Sequence, residues 1–259
     1  MGFDEGAAAF GSNPGAWPLA TAATPEALWL RAVAAGGQGR YAAADADLDQ
    51  LLRTRVGGPL ASLALSTRGS FRRQLGWHDR ARSFDGAAWR LSEGRGVAGA
   101  DALIGLAADA LGVGRFAASE RALARAADLV STAASTRLPI RLAWVSAELA
   151  MARGEATALG HAERAVALAA QTPSVRHRIK SLLVRAAARC ASGEVDAARA
   201  DGDRVLAQAA EHCLIPLRWA AAALLTGIGS AEFSEGQITE IRRSCAETVI
   251  RRGGVWRSR

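Results

Sequence analysis

The sequence predicts an all-α fold, an α-solenoid of about six antiparallel helix pairs, and three observations predict it. The first is composition. Alanine supplies 61 of the 259 residues and arginine 31, with Lys180 the only lysine. Alanine has the highest helix propensity, with leucine, arginine and glutamate close behind. Aromatic residues make up 5% of the chain and β-branched residues are sparse, which disfavours sheets. Half the residues are hydrophobic and 22% charged, too apolar a mixture for intrinsic disorder. The second observation is a repeat. A glycine, a polar residue, an aromatic or aliphatic residue, then a small residue three further on recur along the chain. The clear copies are Gly39-Arg40-Tyr41 with Ala44, Gly114-Arg115-Phe116 with Ser119, and Gly193-Glu194-Val195 with Ala198, and Gly76-Trp77-His78 with Ala81 is a weaker one. Gly154-Glu155-Ala156 is a looser copy, and the glycines step by 37, 38, 40 and 39 residues. The third observation is amphipathicity after each glycine. Tyr41, Ala44, Leu48 and Leu51, like Phe116, Ser119, Leu123 and Ala126, follow i, i+3, i+7, i+10 and share one helix face.

Each element follows in order. Residues 1–25 hold Gly6, Gly11, Gly15, Pro14, Pro18 and Pro25, which predicts an extended or mobile N-terminal arm. A helical repeat domain spans 26–252. Its pairs are expected at 26–37 with 41–54, 59–75 with 79–92, 100–112 with 116–132, 137–153 with 156–170, and 174–192 with 195–212. Within a pair the glycine ends the first helix by taking φ > 0. The aromatic that follows opens the second, and the small residue lets the two backbones approach. Pro59, Pro139, Pro173 and Pro216 fall near the starts of first helices, where proline is tolerated. Residues 94–99 read as a loop. A last pair near 215–228 and 235–252 caps the stack, with Ser234 as its N-cap, and 253–259 form a basic tail.

These residues resemble the second half of a tetratricopeptide repeat, in which a glycine, an aromatic, an alanine, a large apolar residue and an alanine recur. Gly114, Phe116, Ser119, Leu123 and Ala126 carry the likeness best, with Gly39, Tyr41, Ala44 and Leu48. The first halves depart from that family, lacking most of its aromatic and Leu-Gly positions, and the period exceeds its 34 residues. The resemblance covers roughly 26–212 and implies a right-handed superhelix. It also implies that first helices line a concave groove and second helices form the convex back. The alanine and arginine excess suits a GC-rich bacterial genome.

Motifs for chemistry are missing from the sequence. His78, His161, His177 and His212 have no shared helix face, and HExxH, GxSxG, Walker and strand-led GxGxxG motifs are absent. Asp45, Asp47 and Asp49 alternate without the glycine and glutamate of a calcium loop, and read as a solvated acidic face. Cys190, Cys213 and Cys245 lack the spacing of a zinc site or disulfide framework, and read as buried structural thiols. The expectation is a non-enzymatic protein with no cofactor and no metal. The N-terminus lacks the basic start of a secretory signal, and the longest apolar stretch, 219–225, is far short of a membrane span. A cytoplasmic location is expected.

Charge points to a partner. The net charge is +7, and residues 242–259 carry six arginines against one glutamate. Sorted by helix, the first helices hold 13 basic residues against Glu26, Asp101, Asp109 and Glu148. Four of the second helices of the first five pairs are neutral or acidic, and 79–92 carries +1. With the groove implied by the resemblance, this predicts a basic concave surface for a protein or peptide partner, acidic or carboxylate-terminated. The candidate partner-binding residues are Arg68, Arg72, Arg141, Trp144, Arg178, Arg185 and Arg189. The plain alternative is that these are solvated arginines raised by codon bias. A second functional reading is nucleic-acid binding through the groove and the arginine-rich tail, where Trp256 could stack on a base.

Overall fold

The computed structural model describes residues 5–54 and 57–258. Thirteen helices and no strand occur among them. A short helix α1 (Glu5–Phe10) precedes six pairs. These are α2 (Pro25–Gly37) with α3 (Tyr41–Arg53), α4 (Gly58–Gln74) with α5 (His78–Leu91), and α6 (Gly96–Gly112) with α7 (Phe116–Thr132). They continue as α8 (Arg137–Arg153) with α9 (Ala158–Ala170), α10 (Val175–Ala191) with α11 (Val195–Glu211), and α12 (Ile215–Ile228) with α13 (Glu235–Arg251).

The five spaced glycines do what their spacing predicts. Gly39, Gly76, Gly114, Gly154 and Gly193 all lie at φ between +68° and +89°, each in the turn inside a pair. At each turn the next residue's N–H reaches back five residues, as from Arg40 to the Ala35 carbonyl (2.9 Å) and from Arg115 to the Ala110 carbonyl (2.8 Å). This is the Schellman closure, which satisfies a carbonyl the helix end would leave bare. The small residues behind the turns are fully buried: Ala44, Ala81, Ser119 and Ala198 expose none of their surface. Gly229, at φ +81° and ψ 168°, ends α12 in an extended glycine conformation instead.

First helices touch their successors directly, α2 to α4, α4 to α6, α6 to α8, α8 to α10 and α10 to α12, so they form the inner layer. The stack then closes on itself. The Ala42 N–H donates to the Arg252 carbonyl, the Arg257 N–H to the Leu75 carbonyl, and Trp77 Nε1 to the Val255 carbonyl (3.0, 2.9 and 2.7 Å). Val249 of α13 sits in one core cluster with Tyr41, Leu48 and Phe71 of the first two pairs.

Several expectations change at this level. Residues 5–24 are docked rather than extended. The Gln38 amide donates to the carbonyls of Pro14 and Ala16, and the Val175 N–H donates to the Gly11 carbonyl. A glycine- and proline-rich stretch reads as mobile because its anchors lie far away in sequence. Residues 1–4 and 259 of the expected arm and tail lie outside the described residues. The expected loop at 94–99 is mostly helix, since α6 starts at Gly96. Gly99 is there for close approach, because a Cβ would stand 2.9 Å from the Gly94 carbonyl carbon. Of the α3 aspartates only Asp49 is exposed. Asp47 is buried against Arg31 (3.1 Å), and Asp45 pairs with Arg68 and Arg72 (3.2 and 2.9 Å). Of the cysteines only Cys245 is buried; Cys190 is half-buried, and Cys213 is exposed at φ +53° in the turn before α12. The tail tryptophan is not free either, since Trp256 packs on Trp219 at 4.5 Å between ring centres.

A candidate ligand-binding cavity inside the superhelix

The inner layer forms a half-open cavity of about 430 Å³, lined by Phe10 of α1 and by first helices α2, α4, α6, α8, α10 and α12. That volume suits small-molecule sites, which run from about 300 to 1,000 Å³. The cations on its wall are Arg73, Arg137, Arg141, Arg176 and Lys180, and the carboxylates are Asp101 and Glu148.

The charges fall into four groups. Lys180 and Glu148 neutralise each other at 3.0 Å. Arg73 bridges the fully buried Asp85 and Asp109, touching Asp85 closely and Asp109 at 2.8 Å. One carboxylate oxygen of each aspartate has no donor, which a proton shared between the two acids would satisfy. Burial, and then the Asp85 charge working against Arg73, hold the Asp109 carboxyl up at about 7. The third group is Arg137 and Arg141 on α8, which share Asp101. Arg137 grips it with both terminal nitrogens at 3.0 and 3.2 Å, and Arg141 also contacts it. The fourth is Arg176 on α10, which has no carboxylate partner among the described residues. It donates only to the carbonyls of Val33 and Ala9, at 3.2 and 3.3 Å. Burial, and then the neighbouring Arg137 charge, lower this guanidinium to about 10, which leaves it charged at neutral pH. Gly37 gives it room, since a Cβ there would stand 3.0 Å from Arg176 Nη1.

Around these cations stand aromatic walls. Phe10 of α1 lies 5.6 Å from Trp29 and 6.0 Å from His177, and the guanidiniums of Arg137 and Arg176 lie 5.5 and 5.8 Å from its ring centre. The His177 ring stacks on Trp144 at 5.3 Å and 19°. Its Nδ1 meets Ser174 Oγ at 2.6 Å, which orients the ring. Burial, then the charges of Arg176, Arg137 and Arg141, depress its pKa well below the ordinary value, so the imidazole is neutral. Trp29 and Trp144 donate their indole N–H groups to Thr67 and Ser181 (2.9 and 2.8 Å). Both indoles are therefore satisfied by an adjacent first helix.

Of the seven residues singled out from sequence, the cavity brings together Arg141 and Trp144. Arg68 and Arg72 are tied to the aspartates of α3, and Arg185 and Arg189 both hold Asp201 of α11 at 2.8 Å. Arg178 donates to the Thr172 carbonyl (2.7 Å). Four of these first-helix arginines thus lie on the flank facing second helices, where they match the acids counted there. Sequence reasoning missed Arg73, Arg176 and Phe10 as cavity residues. For Arg176 the available signal was an arginine with no acid at i±3 or i±4. For Phe10 no local signal exists. Among the described residues no group of three His, Cys, Asp or Glu is placed to hold a metal ion. No described helix is long and apolar enough to cross a membrane. No protein-family model matches the sequence, and no curated protein matches it significantly.

Proposed function

We propose that this chain is a non-enzymatic helical-repeat adaptor or regulatory module whose concave, first-helix surface binds an acidic or carboxylate-terminated protein or peptide partner. The carrying observation is the inner wall, where Arg137, Arg141 and Arg176 face one another with Asp101 as the sole carboxylate among them. Buried cations cost free energy unless an anion compensates them. An anionic partner supplies the missing charge.

The test is capture of partners from native lysate by cross-linking, with and without nuclease, on wild type and on Arg141→Glu/Arg176→Glu. The reading expects a protein partner that survives nuclease and is lost on charge reversal. Nucleic-acid binding predicts loss with nuclease and a steep fall in affinity as salt rises. The tail that would carry that second reading packs on the first two pairs through Val255, Trp256 and Arg257.

A further inference from the structure

The cavity's charge is unevenly placed, and that unevenness narrows what it takes. Each guanidinium carries five N–H donors in a planar fork. Asp101 already accepts from Arg137 twice and lies against Arg141, so its oxygens are occupied. Arg176 has only two backbone carbonyls at 3.2 and 3.3 Å, long for charged donors. Donors therefore remain where Arg176 and Arg137 flank Phe10. The neutral His177, with Nδ1 engaged by Ser174, offers no further charge. One under-used fork matches the two oxygens of a carboxylate, which a guanidinium takes bidentately. Beside it, Phe10, Trp29 and Trp144 offer ring surface to a flat apolar body.

We propose that this part of the cavity, between Phe10, Trp144, Arg137 and Arg176, is a site for the carboxylate of a compact aromatic or flat apolar acid. The acid is borne either by a free small molecule or by the C-terminal residue of a peptide. This rests on the reading of the concave face as a binding surface and specifies its chemistry. The half-open volume of about 430 Å³ admits a small acid or the last few residues of a chain. Phe10 at the end of α1 forms part of the wall and so contacts the occupant.

The experiment is calorimetric and tryptophan-fluorescence titration of the full chain with five probes. They are 3-phenylpropanoate, its neutral amide, phenyl phosphate, and the tripeptide Ala-Ala-Phe with a free or an amidated C-terminus. A free carboxylate in at least one carrier should bind at least about tenfold more tightly than its own amide. Binding of the small acid alone assigns a metabolite-like source, and binding of the free tripeptide alone assigns a chain end. Both outcomes support the site. Arg176→Met should weaken that probe at least about tenfold, with melting temperature as the check on folding. Arg176→Lys keeps the charge but loses the fork, and should weaken it less. Equal binding of acid and amide overturns the proposal. So does tighter binding of phenyl phosphate, undiminished binding by folded Arg176→Met, or binding of no probe at millimolar concentration. A wild-type protein that retains a captured protein partner yet binds no probe overturns this site alone.

Discussion

At the scale of single residues, backbone and charge make separable demands. Gly114 sits at φ +74° with nothing within 4 Å of where a Cβ would be, so Gly114→Ala tests conformation alone. It should cost about 1–2 kcal/mol, read by urea denaturation. Gly36 is a helical glycine against which the Phe71 ring packs, and a Cβ there would collide with that ring. Gly36→Ala should cost at least as much, through packing instead. The Arg73–Asp85–Asp109 group gives a pH signature. Burial raises the Asp109 carboxyl to about 7, so between about 4 and 7 the folded state holds a proton the unfolded chain has released. Its contribution to stability is full at low pH and is lost as pH rises through that window. The melting temperature of wild type should therefore fall across it relative to Asp109→Asn, which mimics the neutral acid and removes the slope. Parallel curves for the two proteins would refute the shared proton.

At the scale of elements, helix pairing was written in the sequence and arginine placement was not. Glycine, ring and small residue lie within six positions of one another, so the turn that closes Gly39-Arg40-Tyr41 on Ala44 is local and its signal complete. An arginine's direction depends on which neighbour helix offers an acid. Arg185 and Arg189 share a face at i, i+4 as expected, but that face meets Asp201 on α11. The same list of second-helix acids that made the convex side look negative held the partners of the first-helix arginines. The small-residue positions are firmer. Ala126 of α7 and Ala198 of α11 are fully buried, and Leu at either should overpack a close contact at roughly 1–3 kcal/mol. An unchanged melting temperature in both variants would refute the register.

At the scale of the whole molecule, the stack is closed by contacts no local pattern foretells. Arg252 caps the first pair through the Gln38 carbonyl at 2.7 Å, and the last turn of α13 enters the core under Tyr41. Gly254 fits there because a Cβ would meet the Tyr41 ring at 2.8 Å. Removing 253–259 should therefore lower the melting temperature, by about 2–4 °C for each kcal/mol lost. A tail that served only an outside partner would leave it unchanged. Closure also narrows the groove into a half-open cavity with Phe10 of the N-terminal segment on its wall, a contact that no local pattern foretells. The central claim is that a partner's anionic group is received inside this wall. Amide hydrogen exchange of the full chain, with and without the captured partner, tests it most directly. The account predicts slowed exchange in residues 5–17, where Phe10 stands on the cavity wall, and at the ends of α8 and α10 that carry Arg137 and Arg176. Protection confined to α13 and the tail, or to the outer helices α3, α5, α7 and α9, would contradict it.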